Sequence, residues 1–177
     1  GVTVLDDFVS GLTIGNTYYY RVYHYSSTNP STTNFTTCVT EPATNDECSG
    51  ASTVTSGQTC SPVNGDVVNA TGNLSTNYED VWYSFVATAT TQFINVTSSG
   101  DFRPSIEVYD NCSGTSLKQA NASSGTTVLN DFVSGLTIGN TYYYRVYNYS
   151  TSNPTTTNFT TCVTDPASND ECSGAST

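Results

Sequence analysis

Hydrophobic and polar positions alternate along most of the chain, in short runs separated by turns rich in Gly, Asn and Ser. Such alternation is typical of half-buried β-strands, because successive side chains of a strand point to opposite faces of a sheet. No run shows the periodicity of a helix. We therefore predict an all-β fold, an antiparallel β-sandwich of the jelly-roll or immunoglobulin-like kind. The predicted strands are DVVNATG (66–72), DVWYSFVAT (80–88), QFINVTS (92–98), SIEVYDN (105–111), TTVLNDFVSGL (126–136), TYYYRVYNYS (141–150) and NFTTCVTDP (158–166).

The chain repeats itself with a fixed offset of 124 residues. The stretch DFVSGLTIGNTYYYRVY occupies residues 7–23 and, letter for letter, residues 131–147. Of the 53 positions that overlap at this offset, eight differ and 45 are identical. A period of this length predicts a tandem array of whole domains, because the repeats of solenoid proteins are shorter.

Two Pro-containing segments mark the boundaries between repeats, TEPATNDEC at 40–48 and its copy TDPASNDEC at 164–172. Their proline and small polar residues are typical of linkers. We therefore divide the chain into the C-terminal part of one repeat (1–43), one complete repeat (44–167) and the start of the next (168–177). A sandwich without its first strands leaves the inner faces of the others uncovered. We expect residues 1–43 to be completed by a neighbouring copy, or by chain outside the given sequence.

The strand TYYYRVY has an inner face that we expect to lie in the core. Alternation gives this face three residues and their copies: Tyr18, Tyr20, Val22, Tyr142, Tyr144 and Val146. The spacing from Leu12 to Tyr18 resembles a tyrosine corner, in which a tyrosine hydroxyl bonds back to the chain upstream.

The outer face of the same strand carries a stripe of tyrosines, namely Tyr19, Tyr23 and Tyr25, with Tyr143 and Tyr147 in the second copy. We expect the stripe to be half exposed. One interpretation is that these tyrosines pair across strands and stabilise the sheet. The other is that they form a contact face for lateral packing or for stacking on sugars.

The chain is acidic, with a net charge of −11 and four Lys and Arg residues together. Such a surface repels phosphate backbones, so we exclude nucleic acid as a partner. No run of about eighteen apolar residues is present, so we predict no membrane span in this sequence.

Six cysteines are present, four in each period of 124 residues. An even number per repeat, in an acidic chain rich in Ser and Thr, predicts disulfides and an oxidising, extracellular compartment. Within the complete repeat we expect the pairs Cys48–Cys60 and Cys112–Cys162. Cys38 and Cys172 would then have partners outside the given sequence. Zinc is the alternative, but structural zinc sites use closely spaced cysteine pairs, which this sequence lacks.

The sequence gives little support for catalysis. Its single histidine, His24, is replaced by Asn148 in the second copy. One histidine that is absent from the next repeat leaves no catalytic triad to assemble. We therefore predict that the chain is not an enzyme.

Calcium is the better-supported chemistry, because hard cations prefer carboxylate and carbonyl oxygens from turns. The first linker offers Glu41, Asn45 and Asp46, and the residues before the strand DVWYSFV offer Glu79 and Asp80. If the linker folds against that loop, the two groups could share one ion. The alternative is an acidic linker that is simply solvated.

Three segments together resemble the bacterial pre-peptidase C-terminal (PPC) domain: EPATNDEC, EDVWYSFVATATTQFINVTSSGDFRPSIEVYDNCSG and LTIGNTYYYRVYNYS. The cysteine-containing form, NDEC followed by DVWYSF, is similar to tandem β-sandwich repeats of large secreted or surface proteins of the Bacteroidota. The resemblance covers residues 41–167. It implies a jelly-roll-like sandwich, a secreted bacterial protein and, as in some PPC domains, the calcium site in the linker described above.

These observations favour a structural or adhesive repeat module of an extracellular surface filament or giant adhesin. Its partners would be neighbouring copies of the same chain or repeat, and glycans or host and substratum surfaces are further candidates. The alternative is a carbohydrate- or protein-binding accessory module of a secreted hydrolase, which predicts exposed aromatics that differ between copies. The eight differences do not cluster at aromatic positions, which favours the structural module.

Overall fold

The computed structural model describes residues 7–72, 79–150 and 154–170. The chain divides into two units, Gly1–Thr40 and Glu41–Thr177. In the first unit, the described residues 7–40 form no regular strand and all of them are exposed. No described segment forms a helix long and apolar enough to cross a membrane.

The second unit contains ten strands and one 3-10 turn, Cys48–Gly50, among its described residues. The strands are β1 (Ser52–Thr53), β2 (Ser56–Gly57), β3 (Val63–Asp66), β4 (Asp80–Val86), β5 (Thr91–Ser98), β6 (Pro104–Tyr109), β7 (Ser116–Asn121), β8 (Val128–Ser134), β9 (Thr141–Asn148) and β10 (Asn158–Thr164).

The ten strands form two sheets that face each other. The first sheet has the order β1-β4-β9-β6-β7, and the second has the order β2-β10-β5-β8, with β3 also paired to β10. All neighbours are antiparallel except β1 with β4 and β2 with β10. This confirms the prediction of an all-β, two-sheet sandwich. The described residues contain one such sandwich, so the tandem array stays a prediction.

The core lies between the sheets and is built by the alternation seen in the sequence. Tyr142, Tyr144 and Val146 of β9 point into it, as predicted. Tyr83 of β4 stacks on Tyr144 with 5.3 Å between the ring centroids, and Phe159 of β10 meets Tyr83 edge-on at 6.1 Å. Each side chain of this size contributes about 1.5–3 kcal/mol when it is fully buried.

The strand prediction differs from the structure in several places, and the short strands β1 and β2 are among the strands that were not predicted. The segment 66–72 is a turn, because Asp66 ends β3 and its carboxylate accepts the backbone N–H of Val68 at 2.8 Å. Asn69 continues the turn with a left-handed φ of 60°, a conformation that Asn tolerates better than most residues. Strand β7, with the sequence SLKQAN, was not predicted. It lies at the edge of its sheet and carries polar side chains, which hide the alternation.

Candidate functional site

The first linker, residues 41–47, is fastened to the beginning of β4. The carbonyl of Asn45 accepts the backbone N–H of Trp82 at 2.7 Å. The side-chain amide of Asn45 donates to the carbonyl of Trp82 at 3.0 Å. The neighbouring Asp46 is buried, and its carboxylate accepts the hydroxyl of Thr71 at 2.7 Å and the backbone N–H of the same residue. Asn45 and Asp46 therefore fix the direction in which the chain enters the sandwich.

The second linker, residues 165–170, is fastened in a similar way at the other end of β4. The backbone N–H of Asp165 donates to the carbonyl of Gly57 at 2.9 Å. Its carboxylate accepts the hydroxyl of Thr88 at 2.6 Å and the side-chain amide of Gln92 at 2.7 Å. Gln92 is fully buried, so the chain leaves the sandwich from a fixed point.

The four cysteines of the complete repeat pair differently from the prediction. The structure joins Cys48 to Cys112 and Cys60 to Cys162, instead of Cys48 to Cys60 and Cys112 to Cys162. The topology explains the difference. In chain order β2 and β3 are separated by the loop that contains Cys60, and both pair with the same edge of β10. Ser56 of β2 lies opposite Val163 and Val63 of β3 lies opposite Thr161, so the loop passes Cys162.

Cys48 lies on the outer surface of the first sheet. It packs there against Trp82 and Tyr109, whose ring centroids are 5.3 Å apart. Cys112 follows Tyr109 by three residues, so it reaches the same place from β6. Cys38, in the first unit, is exposed and forms no disulfide. Cys172 lies outside the described residues.

A buried charge cluster lies in the middle of the outer face of the first sheet. The guanidinium of Arg145 contacts Asp80 at 2.5 Å and Glu107 at 2.6 Å. Burial opposes the ionised form of Glu107, but the hydrogen bonds from Arg145, Tyr109 and Ser116, together with the charge of Arg145, outweigh it and hold the pKa of Glu107 below its usual value. Burial alone would lower the pKa of Arg145, and the bonds to the two carboxylates raise it instead. Burial also raises the pKa of the nearby Tyr109 to about 12.

Half exposure was predicted for the tyrosine stripe; in the complete repeat Tyr143 is half-buried, but Tyr147 is buried. Tyr147 is only 2% exposed, because Arg145 stacks on its ring at 4.9 Å and Gln119 donates to its hydroxyl at 2.9 Å. Tyr143 is partly buried against the cluster of Cys48, Trp82 and Tyr109. The corresponding residues of the first unit, Tyr19, Tyr23 and Tyr25, are exposed.

The residues proposed for calcium lie near one another in the fold, but several already have partners. Asp46 is bonded to Thr71 and Asp80 to Arg145, and Asn45 holds the backbone of Trp82. Glu41 and Glu79 are exposed. No three His, Cys, Asp or Glu side chains in residues 7–72, 79–150 and 154–170 converge as a metal site would require. Calcium binding by Glu41, Asn45, Asp46, Glu79 and Asp80 stays a prediction.

A cleft of about 880 Å³ opens beside β3, next to the first linker. Polar side chains line it, among them Asn64, Asp66 and Asn158, and the buried residues Tyr83 and Phe159 border it. Burial raises the pKa of Tyr83 to about 12, so its hydroxyl stays protonated. A cleft of this character could hold a small polar molecule.

Sequence reasoning missed the roles of Arg145, Glu107 and Asp165. Arg145 lies at an outward position of its strand, and the structure buries it there. A signal was present, since arginine is scarce in this chain and stands here between tyrosines. A buried arginine needs carboxylate partners. Which acids would supply them depends on strand order, and alternation does not give strand order.

Comparison with known proteins gives one family model that matches and remote similarities to several solved structures. A family model described as galactose binding domain-like, from a group associated with the type IX secretion system (T9SS), matches residues 44–161. None of the curated proteins matches the chain. Among solved structures, the PPC domain of a collagenase from Bacillus anthracis is similar with a TM-score of 0.40 and 16% identity, over 64% of this chain and 95% of that one. PliG of Aeromonas hydrophila, a periplasmic inhibitor of g-type lysozyme, gives a TM-score of 0.36 and 15% identity, over 64% and 96%.

Proposed function

The chain belongs to the T9SS-associated family of galactose-binding-domain-like β-sandwiches, and on that premise we propose that it is a structural or adhesive repeat module of an extracellular surface filament or giant adhesin. The family's secretion association and the two disulfides both point to an extracellular location. In this proposal the module has no catalytic role, and its partners are neighbouring repeats.

The observation that carries the proposal is the position of the Cys60–Cys162 disulfide relative to the two linkers. Cys162 lies in β10, three residues before the anchored Asp165, and Cys60 lies twelve residues after Cys48. Tension that enters at the first linker can therefore pass from Cys60 directly to Cys162. This covalent path leaves out all the residues between the two cysteines, which are 102 positions apart in the sequence.

The anchored linkers support the same function. A module that transmits tension should receive and release the chain at fixed points, and the bonds of Asn45 and Asp165 supply these. The Cys60–Cys162 bridge is a bypass, because it keeps the residues between its cysteines out of the stretched path. It therefore limits how far the module can lengthen if its sheets come apart. Limited extension suits a filament or adhesin that has to keep its length under load.

Single-molecule force spectroscopy on the full chain, held at both ends, tests this proposal. An extended chain spans at most about 3.6 Å per residue. Opening both bridges returns the residues bypassed between Cys60 and Cys162, which are 102 positions apart, to the stretched chain, and should therefore lengthen it by about 350 Å. We expect this full increase on reduction. In a Cys60→Ser, Cys162→Ser variant the Cys48–Cys112 bridge still bypasses the residues between its cysteines, which are 64 positions apart, so the increase should be only about 140 Å.

The other bridge supplies a matched control. In a Cys48→Ser, Cys112→Ser variant the bypass from Cys60 to Cys162 remains, so the stretched length of the oxidised chain should not change. A module whose oxidised and reduced forms extend equally, or whose length depends on the Cys48–Cys112 bridge instead, would not have the proposed mechanical design.

The second candidate function is a carbohydrate-binding module, and the cleft beside β3 favours it. Its polar lining, which includes Asn64, Asp66 and Asn158, suits a small sugar. Titration of galactose and related monosaccharides against the full chain, followed by NMR or calorimetry, tests this function. Saturable binding that is lost in an Asn64→Ala, Asn158→Ala variant would favour it over the structural role.

A further inference from the structure

Two hydrogen bonds of the complete sandwich recur in the first unit. The hydroxyl of Tyr142 accepts the backbone N–H of Thr137 at 2.9 Å, and the hydroxyl of Tyr18 accepts that of Thr13 at the same distance. Likewise, the hydroxyls of Tyr144 and Thr161 lie 2.9 Å apart. Their copies, the hydroxyls of Tyr20 and Thr37, lie 3.1 Å apart. Residues 7–40 thus hold the side-chain bonds of a closed sandwich although they form no strand.

The same residues expose the face that the complete sandwich buries. Tyr20 is 64% exposed, whereas its copy Tyr144 is fully buried. Phe35 is also 64% exposed, and its copy Phe159 is 5% exposed. A face with large apolar side chains such as Tyr20 and Phe35 exposed is unfavourable in water and marks an interaction surface.

Cys38 lies in the same segment and supplies a free thiol for a covalent bond to the chain that covers this face. Its copy in the complete repeat, Cys162, is bonded to Cys60 of the loop between β2 and β3. Cys38 itself is exposed and has no such partner within the described residues. The complete repeat therefore shows both what should cover residues 7–40 and which cysteine should meet Cys38.

We propose that residues 7–40 close a second sandwich, whose remaining strands come from a further repeat with the sequence pattern of residues 44–127. A cysteine of that repeat at the position of Cys60 bonds to Cys38. The occupant is not a second complete copy of the sandwich, because such a copy already covers the same strands with its own β8, β9 and β10. The inference rests on the proposed repeat module and names the partner of that module.

The bond between Cys38 and the incoming cysteine is an oxidation. Two thiols lose two protons and two electrons as the S–S bond forms. A disulfide oxidant accepts them, and oxidised glutathione does so in the test below, becoming two molecules of glutathione.

A polypeptide of residues 44–127 is the probe. It carries Cys48→Ser and Cys112→Ser, so Cys60 is its only cysteine, and the thiol of Cys60 is free because Cys162 is absent from it. It is mixed with the full chain carrying Cys172→Ser in a glutathione buffer. We expect a one-to-one adduct in which mass spectrometry finds Cys38 bonded to Cys60 of the probe.

Variants of the full chain separate docking from random oxidation. Tyr20→Asp and Phe35→Asp should reduce the yield of adduct at least tenfold. Ile14→Asp is the matched control and should leave the yield unchanged, because its copy Ile138 is exposed in the complete sandwich. Both sets of changes lie outside the unit that starts at Glu41, so that sandwich is unaltered.

Three outcomes would overturn the inference: no adduct, an adduct through Cys162 in place of Cys38, or equal yields from Phe35→Asp and Ile14→Asp. Dimers of the full chain formed through residues 7–40 without probe would also contradict it, since the complete copy would then be the occupant. The force measurement depends only on the Cys60–Cys162 bypass, whereas the adduct depends on Cys38. Failure of this inference and failure of the proposed function are therefore distinguishable.

Discussion

The hydroxyl of Tyr142 reaches back five residues to accept the backbone N–H of Thr137 at 2.9 Å. This is the tyrosine corner that the sequence spacing predicts, and it closes the turn between β8 and β9. The bond joins two segments whose relative position decides how β9 enters the centre of the first sheet. Its copy between Thr13 and Tyr18 shows that seventeen identical residues are enough to form it.

Removing this hydroxyl should therefore weaken the sandwich. We expect Tyr142→Phe to lower the free energy of unfolding by about 1 kcal/mol, the usual value of one hydrogen bond. Chemical denaturation monitored by tryptophan fluorescence measures the change. Tyr143→Phe, one residue along and on the opposite face, is the control and should stay within about 0.5 kcal/mol of the parent. Equal losses in the two variants would mean that the corner bond contributes nothing specific.

Gly65 of β3 marks a place where the sandwich has no space for a side chain. A Cβ atom there would lie 2.2 Å from the hydroxyl oxygen of Tyr83 and 2.4 Å from the ring of Phe159. We expect Gly65→Ala to destabilise the fold by about 1–3 kcal/mol, because the two rings have to move. Thermal unfolding measures the loss. Gly57→Ala, where a Cβ meets nothing within 4 Å, should be neutral or slightly stabilising, because alanine restricts the unfolded chain. An equal cost at both glycines would show that crowding by the two rings is not the cause.

Glu107 should make stability depend on pH in a defined direction. Its pKa is lowered in the fold, because the hydrogen bonds from Arg145, Tyr109 and Ser116 and the charge of Arg145 together outweigh the effect of burial. The stabilisation by its charged form is therefore complete above the unfolded-state pKa of about 4.3 and is lost as the pH falls through the lower folded-state value. We expect Glu107→Gln to cost about 1–3 kcal/mol at neutral pH.

The measurement is denaturant unfolding of both chains between neutral pH and pH 3. The difference between parent and Glu107→Gln should shrink steadily below about pH 5. Asp131→Asn is a control for a surface carboxylate, since Asp131 contacts Lys118 at 3.2 Å in a partly exposed pair. A Glu107 difference that stays constant with pH would show that the charge of this residue is not what stabilises the cluster.

Most of the fold follows from the sequence, because the alternation that identifies a strand also identifies its buried face. Tyr144 and Val146 are in the core for this reason. Contacts between distant strands do not follow, because alternation gives no strand order. Arg145 is at an outward position of β9, and its burial depends on Asp80 and Glu107, which lie on the strands on either side of β9. The predicted cysteine pairs were wrong for the same reason, since the position of the loop that carries Cys60 is set by the pairing of β2 and β3 with β10.

The two disulfides should contribute almost equally to stability although only one of them lies on the tension path. Their cysteines are separated by 64 residues for Cys48–Cys112 and by 102 for Cys60–Cys162. If a bridge acts mainly by restricting the unfolded chain, loops of these lengths give about 4.3 and about 4.7 kcal/mol. We expect each paired Cys→Ser variant to lose about 4 kcal/mol in guanidinium unfolding, with a difference of less than about 1 kcal/mol between them. Loss confined to one variant would instead assign the stabilisation to contacts in the folded state, such as the packing of Cys48 on Trp82 and Tyr109.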